Sequence, residues 1–535
     1  MTENQTKRIV PPNPSRMISG MRDTGYLITT AIADLIDNSI SANSDNVDVS
    51  IEELFGDQLR VAVIDDGHGM NMEELVNAMT YGSPPRQDPK SLGKFGLGLK
   101  TASSAFSTRF SAISRKSASD PVSRATWDLD RVRETSEWEM ETVPASKMQI
   151  ELLETVAKDH GTLILWESVD RLLSIEDMQT EKRRKNALQR IERDLNKHLG
   201  QVFQRFISPT NEKTKPVKIS INGKVVEAWD PFCEKEEHTY KVLSHQQAVE
   251  LADGTKVEFA VRSFVLPRPE QFSDAEAAKI AQINNENQGV YVYREDRLIH
   301  GPDWMGSSKK EPHYSYARID LSFDHRLDEA FNVDIKKSRI LLNESLLLFL
   351  EEKVFPSVRN FANQRYREGK NKQAHTNASG IHDSANAIMG QYEDEVSDNK
   401  IIDKNPALGI ATIQNANGTS PIRLLKPEEA RADQPYIVSM ESLLEGLLWE
   451  PMINKDNRAV ALNTSHPFYQ KVYLPLKQTD IVIQSFDYLI WAMAIGEMNT
   501  INEKVKVFYE DLRRSVSRSL RTLSERLPDV ELEEE

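Results

Sequence analysis

The chain has 535 residues, 39% hydrophobic and 28% charged, with a formal net charge of −15 at neutral pH. That length calls for two to four domains, and the composition is that of a globular protein with room for real cores. A single cysteine, Cys233, excludes an internal disulfide and a Cys-cluster zinc site, while the acidic balance disfavours nonspecific coating of nucleic acid. No stretch approaches eighteen uninterrupted apolar residues, so no transmembrane helix is expected. The N-terminus, "MTENQTKRIVPPNPSRM", is polar and Pro-rich and lacks the apolar core of a secretory signal, which fits a reducing, cytoplasmic setting.

The first element with a clear pattern is "TTAIADLIDNSISA", 29–42, an amphipathic helix. On a wheel of 100° steps, Asp37, Asn38 and Ser41 lie within about 60° of Asp34, and Ile32, Leu35, Ile36 and Ile40 face away toward a core. Two strands follow, "NVDVSIEEL" and "QLRVAVIDDG", with alternating Val and Ile. The second ends in Asp65, followed by Gly67 and Gly69. A turn alone uses such residues. A carboxylate at that place also accepts a hydrogen bond from an exocyclic amine such as adenine's, and the glycines let a flat base approach the backbone.

After the Gly-, Ser- and Pro-rich stretch 81–98 comes "GKFGLGLKTA", 93–102, in which Gly93, Gly96 and Gly98 open a helix. Such a start frees backbone N–H groups for an anion and adds the partial positive charge of the helix, with Lys100 in the first turn. The stretch is neither a P-loop, because Leu99 separates Gly98 from Lys100, nor a dinucleotide fingerprint, because Thr101 stands where Gly or Ala is needed. Strands "RFSAISRK", "SRATWDLD" and "GTLILWE" complete an α/β sandwich.

A second block, 173–350, opens with the basic helix 181–206, whose cations suit a solvated face better than a DNA site. It continues with strands "KPVKISINGKVVE", "TKVEFAVRSFVL", "GVYVYREDRLI" and "YARIDLSFD". Residues 344–369 read as a long helix interrupted near Pro356, and 370–400 as a polar, flexible connection. The C-terminal block, 401–535, reads as mainly helical, with one short strand, "RAVALN", and a final helix carrying Leu512, Val516, Leu520 and Leu523. A second basic helical stretch, 513–526, is again a solvated face, and His466 in "NTSHPFY" is a structural histidine. The chain as a whole is α+β.

In order and spacing, the acid–amide helix, the strand ending DxGxG, the GxxGxG helix start and "HGTLILWE" resemble the GHKL ATPase superfamily: gyrase B, the large heat-shock chaperones, MutL, Morc proteins and histidine kinases. The resemblance covers about residues 15–170. It implies a Bergerat-type ATPase domain over 1–172, a ribosomal-S5-like transducer domain over 173–350, a helix and linker over 351–400, and a dimerisation or partner domain over 401–535. By position it implies Asn38 as the Mg²⁺ ligand on the phosphates of ATP and Asp34 as the base that activates water. Asp65 becomes the adenine-binding acid, supported by Thr162, with Gly67, Gly69 and Met70 shaping the base pocket. Residues 80–98 resemble the lid, with Gly93, Lys94, Phe95, Gly96, Leu97, Gly98, Leu99 and Lys100 at the phosphates. Most hydrolysing relatives carry Glu at the base position, and an Asp withdraws the carboxylate by about 1.5 Å, so slow turnover is expected. Ser41 stands where many relatives have Asp, and only a packing change is expected there.

"GVYVYREDRLIHGPDW", 289–304, resembles a stretch of MutL and Morc second domains, and "FNVDIKKSRILL", 331–342, resembles the loop that passes a lysine to the γ-phosphate. Lys337 aligns best, with Lys336 as its neighbour, and a cation there would stabilise the transferring phosphoryl oxygens. The resemblance implies an ATP-operated homodimeric clamp of MutL/Morc type, acting in DNA metabolism or anti-phage defence with separately encoded effectors such as a nuclease or helicase. A protein-remodelling chaperone and an ATP-binding scaffold with little hydrolysis are the alternatives.

Overall fold

Alternation along the strands builds the first sheet. In β1 (Asn46–Glu53) Val47, Val49 and Ile51 share one buried face, while β2 (Leu59–Asp65) is buried along nearly its whole length. The two pair antiparallel, with Val47 opposite Asp65 and Val49 opposite Val63. With β3 (Arg109–Arg115), β4 (Ser123–Asp128), β5 (Glu141–Thr142), β6 (Gly161–Trp166), β7 (Lys218–Ile221) and β8 (Lys224–Val225) they form a sheet in the order β5-β4-β3-β6-β2-β1-β7-β8. The computed structural model describes residues 13–23, 25–55, 57–83, 91–92, 98–212, 214–250, 255–328, 344–378, 380–427, 429–476, 480–524 and 526–527. It divides into two units, Met1–Asn363 and Gln364–Glu535.

Helices cover both faces of this sheet. On one side α1 (Pro14–Arg22), α2 (Ile28–Ser41), α3 (Met72–Met79) and α4 (Gly98–Phe106) bring Ile18, Ile32, Ile36, Leu75 and Phe106 against Val47, Val61, Val63 and Phe110. The helix α5 (Leu129–Thr135) adds Leu129 and Val132 to the same core. On the other side, α6 (Lys147–Glu154) places Leu153 against Ala62, Ile64, Leu163 and Leu165. Neighbours along β2 thus serve opposite cores, the signature of a strand buried on both sides.

The first sheet does not end at residue 172, where the sequence suggests a boundary. After α7 (Ile175–Met178), the long α8 (Glu181–Val202) buries Leu195, Leu199 and Val202 in the first core, and the short α9 (Gln204–Ile207) follows. The chain then returns as β7, parallel to β1, with Val47 opposite Ile219. A parallel partner needs a crossover, and local alternation does not say which sheet a returning strand will join. The basic residues of α8 form a charged face: Arg184 pairs with Glu53 at 2.7 Å and with Asp57 at 2.6 Å.

A second sheet of the same unit has the order β12-β11-β13-β10-β9, from β9 (Tyr240–Glu250), β10 (Lys256–Val265), β11 (Gly289–Arg294), β12 (Arg297–Asp303) and β13 (Ala317–Phe323), with α10 (Ala275–Ile280) between β10 and β11. Strands β11 and β12 form a hairpin whose turn residues, Glu295 and Asp296, have φ of 47° and 63°. Two consecutive left-handed residues are the geometry of a two-residue turn that matches strand twist. The predicted interruption near Pro356 is a π-helical turn, Leu350–Val354, between α11 (Glu344–Phe349) and α12 (Phe355–Asn377). Pro356 has no N–H to continue the regular ladder.

The second unit departs from two expectations. Residues 383–396, expected within a flexible connection, form α13 (Asp383–Val396), which buries Ala385 and Met389 in that unit's core. The unit is also mixed rather than mainly helical. It holds a meander of β14 (Lys400–Asn405), β15 (Ile410–Asn415) and β16 (Gly418–Arg423), and a sheet of β17 (Ile437–Met440), β18 (Trp449–Asn454) and β19 (Asn457–Asn463) in the order β17-β19-β18. These strands are only four to seven residues long, so their alternation spans too few residues to stand out. Helix α14 (Asp480–Met498) includes a window long and apolar enough for a membrane span, and it places Ile483, Ile490, Trp491 and Ile495 in this core. The last helix is α15 (Glu503–Ser524). His466 is fully buried, with Nε2 near the Ser517 carbonyl at 3.0 Å and Nδ1 accepting from the Phe468 N–H at 3.1 Å, a structural placement.

Candidate functional site

The site is assembled on α2. Asp65 ends β2 against the middle of that helix and is buried there. Ser39 Oγ donates to its Oδ2 at 2.8 Å and the Gly67 N–H to its Oδ1 at 2.9 Å. Burial pushes the Asp65 carboxyl up to about 6, and these two donors work against that rise by favouring the charged form. A carboxylate held at its back by two donors is pre-oriented to accept from an amine in front.

Around it the backbone comes too close for side chains. Gly69 has φ of +62°, and a Cβ there would lie 1.8 Å from the Arg115 carbonyl oxygen. Gly161 has φ of +150°, and its Cβ would lie 2.1 Å from the Asp65 carbonyl oxygen. Thr162 stands opposite Asp65 across the β2–β6 ladder, and its hydroxyl shares a hydrogen bond with Ser114 Oγ at 2.9 Å. Ser114 also donates to the Gly161 carbonyl and accepts from the Met70 N–H, both at 2.8 Å, so it pins β3, β6 and the glycine turn together. Sequence reading missed both Ser39 and Ser114. Ser39 lies off the polar stripe of α2, and Ser114 sits in a strand with no motif around it.

Gly69→Ala is expected to cost at least about 2 kcal/mol, because the obstruction is backbone and the φ is left-handed. Thermal unfolding checks it against Gly20→Ala, where a Cβ meets nothing within 4 Å. Equal melting temperatures for the two variants would remove the packing argument.

One turn back along α2, Asp34 is buried beside the start of α4: a Cβ on Gly98 would sit 3.8 Å from Asp34 Oδ2. The Tyr26 hydroxyl donates to that same oxygen at 2.5 Å. Burial and the neighbouring Asp34 charge push the Tyr26 phenol far above its ordinary value, so it remains a neutral donor. Asn38 donates its amide nitrogen to the Asp34 carbonyl at 3.0 Å, which turns its side-chain oxygen the other way. Asp37, the other acid of the polar face, is fully buried and bound by Arg297 Nε at 2.7 Å.

Lys100 is also buried, and its ammonium donates to the Ala78 carbonyl at 3.0 Å instead of standing open in the first turn. Ser41 donates to the Asp37 carbonyl at 2.7 Å and accepts from Ser91 Oγ at 3.3 Å, which ties the helix to the segment preceding α4. Gly93, Lys94, Phe95, Gly96 and Leu97, and with them Lys336 and Lys337, lie outside the described residues.

The second sheet reaches this site through the β11–β12 hairpin. Arg294, at the end of β11, makes a forked pair with Asp328 at 2.6 and 2.9 Å and donates to the Ser91 carbonyl at 3.4 Å. Asp328 directly precedes the undescribed segment that carries Lys336 and Lys337. In sequence the two arginines pass as strand ends beside a turn; their burial is the signal, and it is tertiary.

Residues 26–162 match the family described as histidine kinase-, DNA gyrase B-, and HSP90-like ATPase. They form a GHKL ATPase domain. The chain is similar to the ATPase MORC2B of Mus musculus, at 29% identity over 90 residues, which are 16% of this chain and 9% of that relative. A solved structure described as the N terminal domain of a DNA repair protein aligns at 15% identity with a TM-score of 0.36, covering 66% of this chain and 98% of that one. GHKL ATPases bind ATP with Mg²⁺. The residues of this GHKL domain fit both: a cradle closed to any Cβ lies beside a buried carboxylate, and Asn38 offers an oxygen suited to a hard cation.

Proposed function

We propose that the chain is a Mg²⁺-dependent ATP-binding clamp of MutL/Morc type that hydrolyses ATP slowly. The observation that carries this is the layout of α2. Ser39 holds Asp65 at the adenine end, Asp34 faces the start of α4 at the phosphate end, and Asn38 lies between them. Five helical residues separate the two ends by about 7 Å. Asp65 would accept the adenine amine, Asp34 would take the proton of the attacking water, and Lys337 would complete the phosphate end. Mg²⁺, when bound, supplies positive charge to the phosphate oxygens.

Slow turnover follows from what surrounds Asp34. One of its oxygens is engaged by the Tyr26 hydroxyl, and its side chain is a methylene shorter than Glu. Both features disfavour reaching a water. The contacts of Arg294 and Arg297 support a transmitting role for the second sheet, since they touch the lid side and α2 from outside the ATPase domain. A client in DNA metabolism or genome defence, homodimerisation and separate effector proteins belong to this reading through the MutL/Morc resemblance of the sequence motifs, and the single cysteine fits a reducing, cytoplasmic compartment.

Asp34→Asn is expected to bind Mg-ATP within about 3-fold of the parent and to lose phosphate release by about 100-fold. Equal hydrolysis rates in the two proteins would reassign the base. A salt-dependent DNA gel shift with a nonhydrolysable ATP analogue tests the client: no shift in any nucleotide state would argue for a protein client instead.

A further inference from the structure

A row of three polar side chains crosses the first sheet at the Asp65 end of the site. Asp65 on β2, Thr162 on β6 and Ser114 on β3 stand in register on adjacent strands, Thr162 being the partner of both others. Cross-strand partners share a face of the sheet. The next rows on that face, Val63–Ile164–Ala112 and Val61–Trp166–Phe110, are apolar and belong to the core beneath α2. Three buried polar groups therefore end an apolar layer beside the glycine turn, and the fold alone gives no reason for them.

Their protons can be counted. Ser114 Oγ carries one proton and accepts two. The Met70 N–H donates to it at 2.8 Å, and the Gly161 carbonyl, which only accepts, lies 2.8 Å away. The Ser114 proton is thus held by that carbonyl. The contact with Thr162 Oγ1 at 2.9 Å is then made by the Thr162 proton. Among the described residues the Thr162 hydroxyl has no other hydrogen-bonding partner, so what it offers a ligand is an acceptor. Asp65 beside it also accepts, held from behind by Ser39 and the Gly67 N–H.

We propose that Ser114 sets base selectivity: by fixing the direction of the Thr162 proton it keeps the pocket all-acceptor, which suits a 6-aminopurine and opposes a 6-oxopurine. This rests on the base lying against Asp65. An exocyclic amine brings two protons to such acceptors, whereas a carbonyl oxygen in its place meets lone pairs and no donor. Ser114 is a positioning residue, since it acts through Thr162 and not on the nucleotide. Without it the Thr162 hydroxyl rotates freely and can turn its proton to the ligand.

The test is the affinity of the full chain for ATP and for inosine triphosphate, each with Mg²⁺, read by displacement of a labelled nucleotide. The two share ribose and phosphates, so the ratio of their affinities isolates the base. The parent is expected to prefer ATP about 100-fold. Ser114→Ala is expected to lower that preference about 10-fold, whatever happens to absolute affinity. Thr162→Val removes the acceptor at nearly constant shape and lowers the preference too. In the Thr162→Val background, Ser114→Ala should leave the ratio within about 2-fold, because nothing remains to be oriented.

An unchanged ratio in Ser114→Ala overturns the proposal, as does a parent that binds both nucleotides alike. An equal change with and without the Thr162 hydroxyl overturns it as well, since Ser114 would then only support the glycine turn. Should Ser114→Ala fail to fold, Thr162→Val decides, and the parent's ratio there overturns the proposal. Asp65→Ala in the same titrations separates the two levels. If it binds both nucleotides as the parent does, the base lies elsewhere and this proposal fails with the site. If it loses ATP while Ser114→Ala keeps the parent's ratio, only the role of Ser114 fails.

Discussion

Asp65→Ala is expected to weaken ATP binding by about 2–3 kcal/mol, or roughly 30- to 150-fold, the value of a hydrogen bond to a charged group in a buried setting. Fluorescence titration with a labelled nucleotide reads this directly, and unchanged affinity would place the adenine elsewhere. The same residue predicts a pH dependence. Burial raises its carboxyl from the ordinary 3.8 to about 6, and the ionised form is the stronger acceptor for the adenine amine. Affinity should therefore hold above that value and decline as pH falls through it, at most tenfold per unit.

The phosphates of ATP titrate in the same range, so the informative comparison is with Ser39→Ala. Loss of that donor moves the Asp65 limb to higher pH, while the phosphate contribution stays common to both proteins. Superimposable profiles would mean that Asp65 does not govern affinity. In the ligand-free protein the sign for stability is the reverse. A carboxyl with a raised folded-state value favours the folded state at low pH, and that contribution is lost as pH rises from 3.8 to about 6.

The second large effect is expected in the C-terminal unit. His382, Asp487 and Tyr469 are buried together, with Asp487 Oδ2 at 2.8 Å from His382 Nδ1 and the Tyr469 hydroxyl at 2.8 Å from His382 Nε2. Burial holds the Asp487 carboxyl above its ordinary range, and the imidazole works against that rise. His382→Ala leaves the carboxylate and the phenol without this partner at once, and a loss of about 3–5 kcal/mol is expected. Urea unfolding followed by the fluorescence of Trp449 and Trp491, both buried in this unit, measures it. Asp487→Asn removes the charge and keeps the shape, so it should cost less. A shift below about 1 kcal/mol in His382→Ala would show that the cluster contributes little to folding.

Much of the ATPase domain was legible because its signals are local. The wheel of α2, the alternation of β2 and the glycines after Asp65 each need only a few consecutive residues, and the structure places them side by side. Of the second-unit strands only "RAVALN", within β19, was legible, because each is short. The boundary at 172 failed for a different reason: β7 reads as a strand in any context, and its pairing with β1 is decided by the crossover through α8.

Within the site, sequence by itself determined which residue types could do chemistry: an acid at 34 and an amide at 38 on the polar face of a helix, an acid at a strand end at 65, and glycines where backbone must come close. Periodicity and φ are properties of the local chain, so they survive in the one-dimensional record. Tertiary structure decided who holds those groups. Ser39 and the Gly67 N–H fix Asp65, Tyr26 occupies Asp34, Lys100 turns to the Ala78 carbonyl, and Arg297 arrives from another sheet to pair with Asp37. Partners 260 residues apart leave no local period, and the electrostatics of a carboxylate depend on burial and on the nearest charge. The sequence could name the acids; what holds each of them was settled only by the tertiary fold.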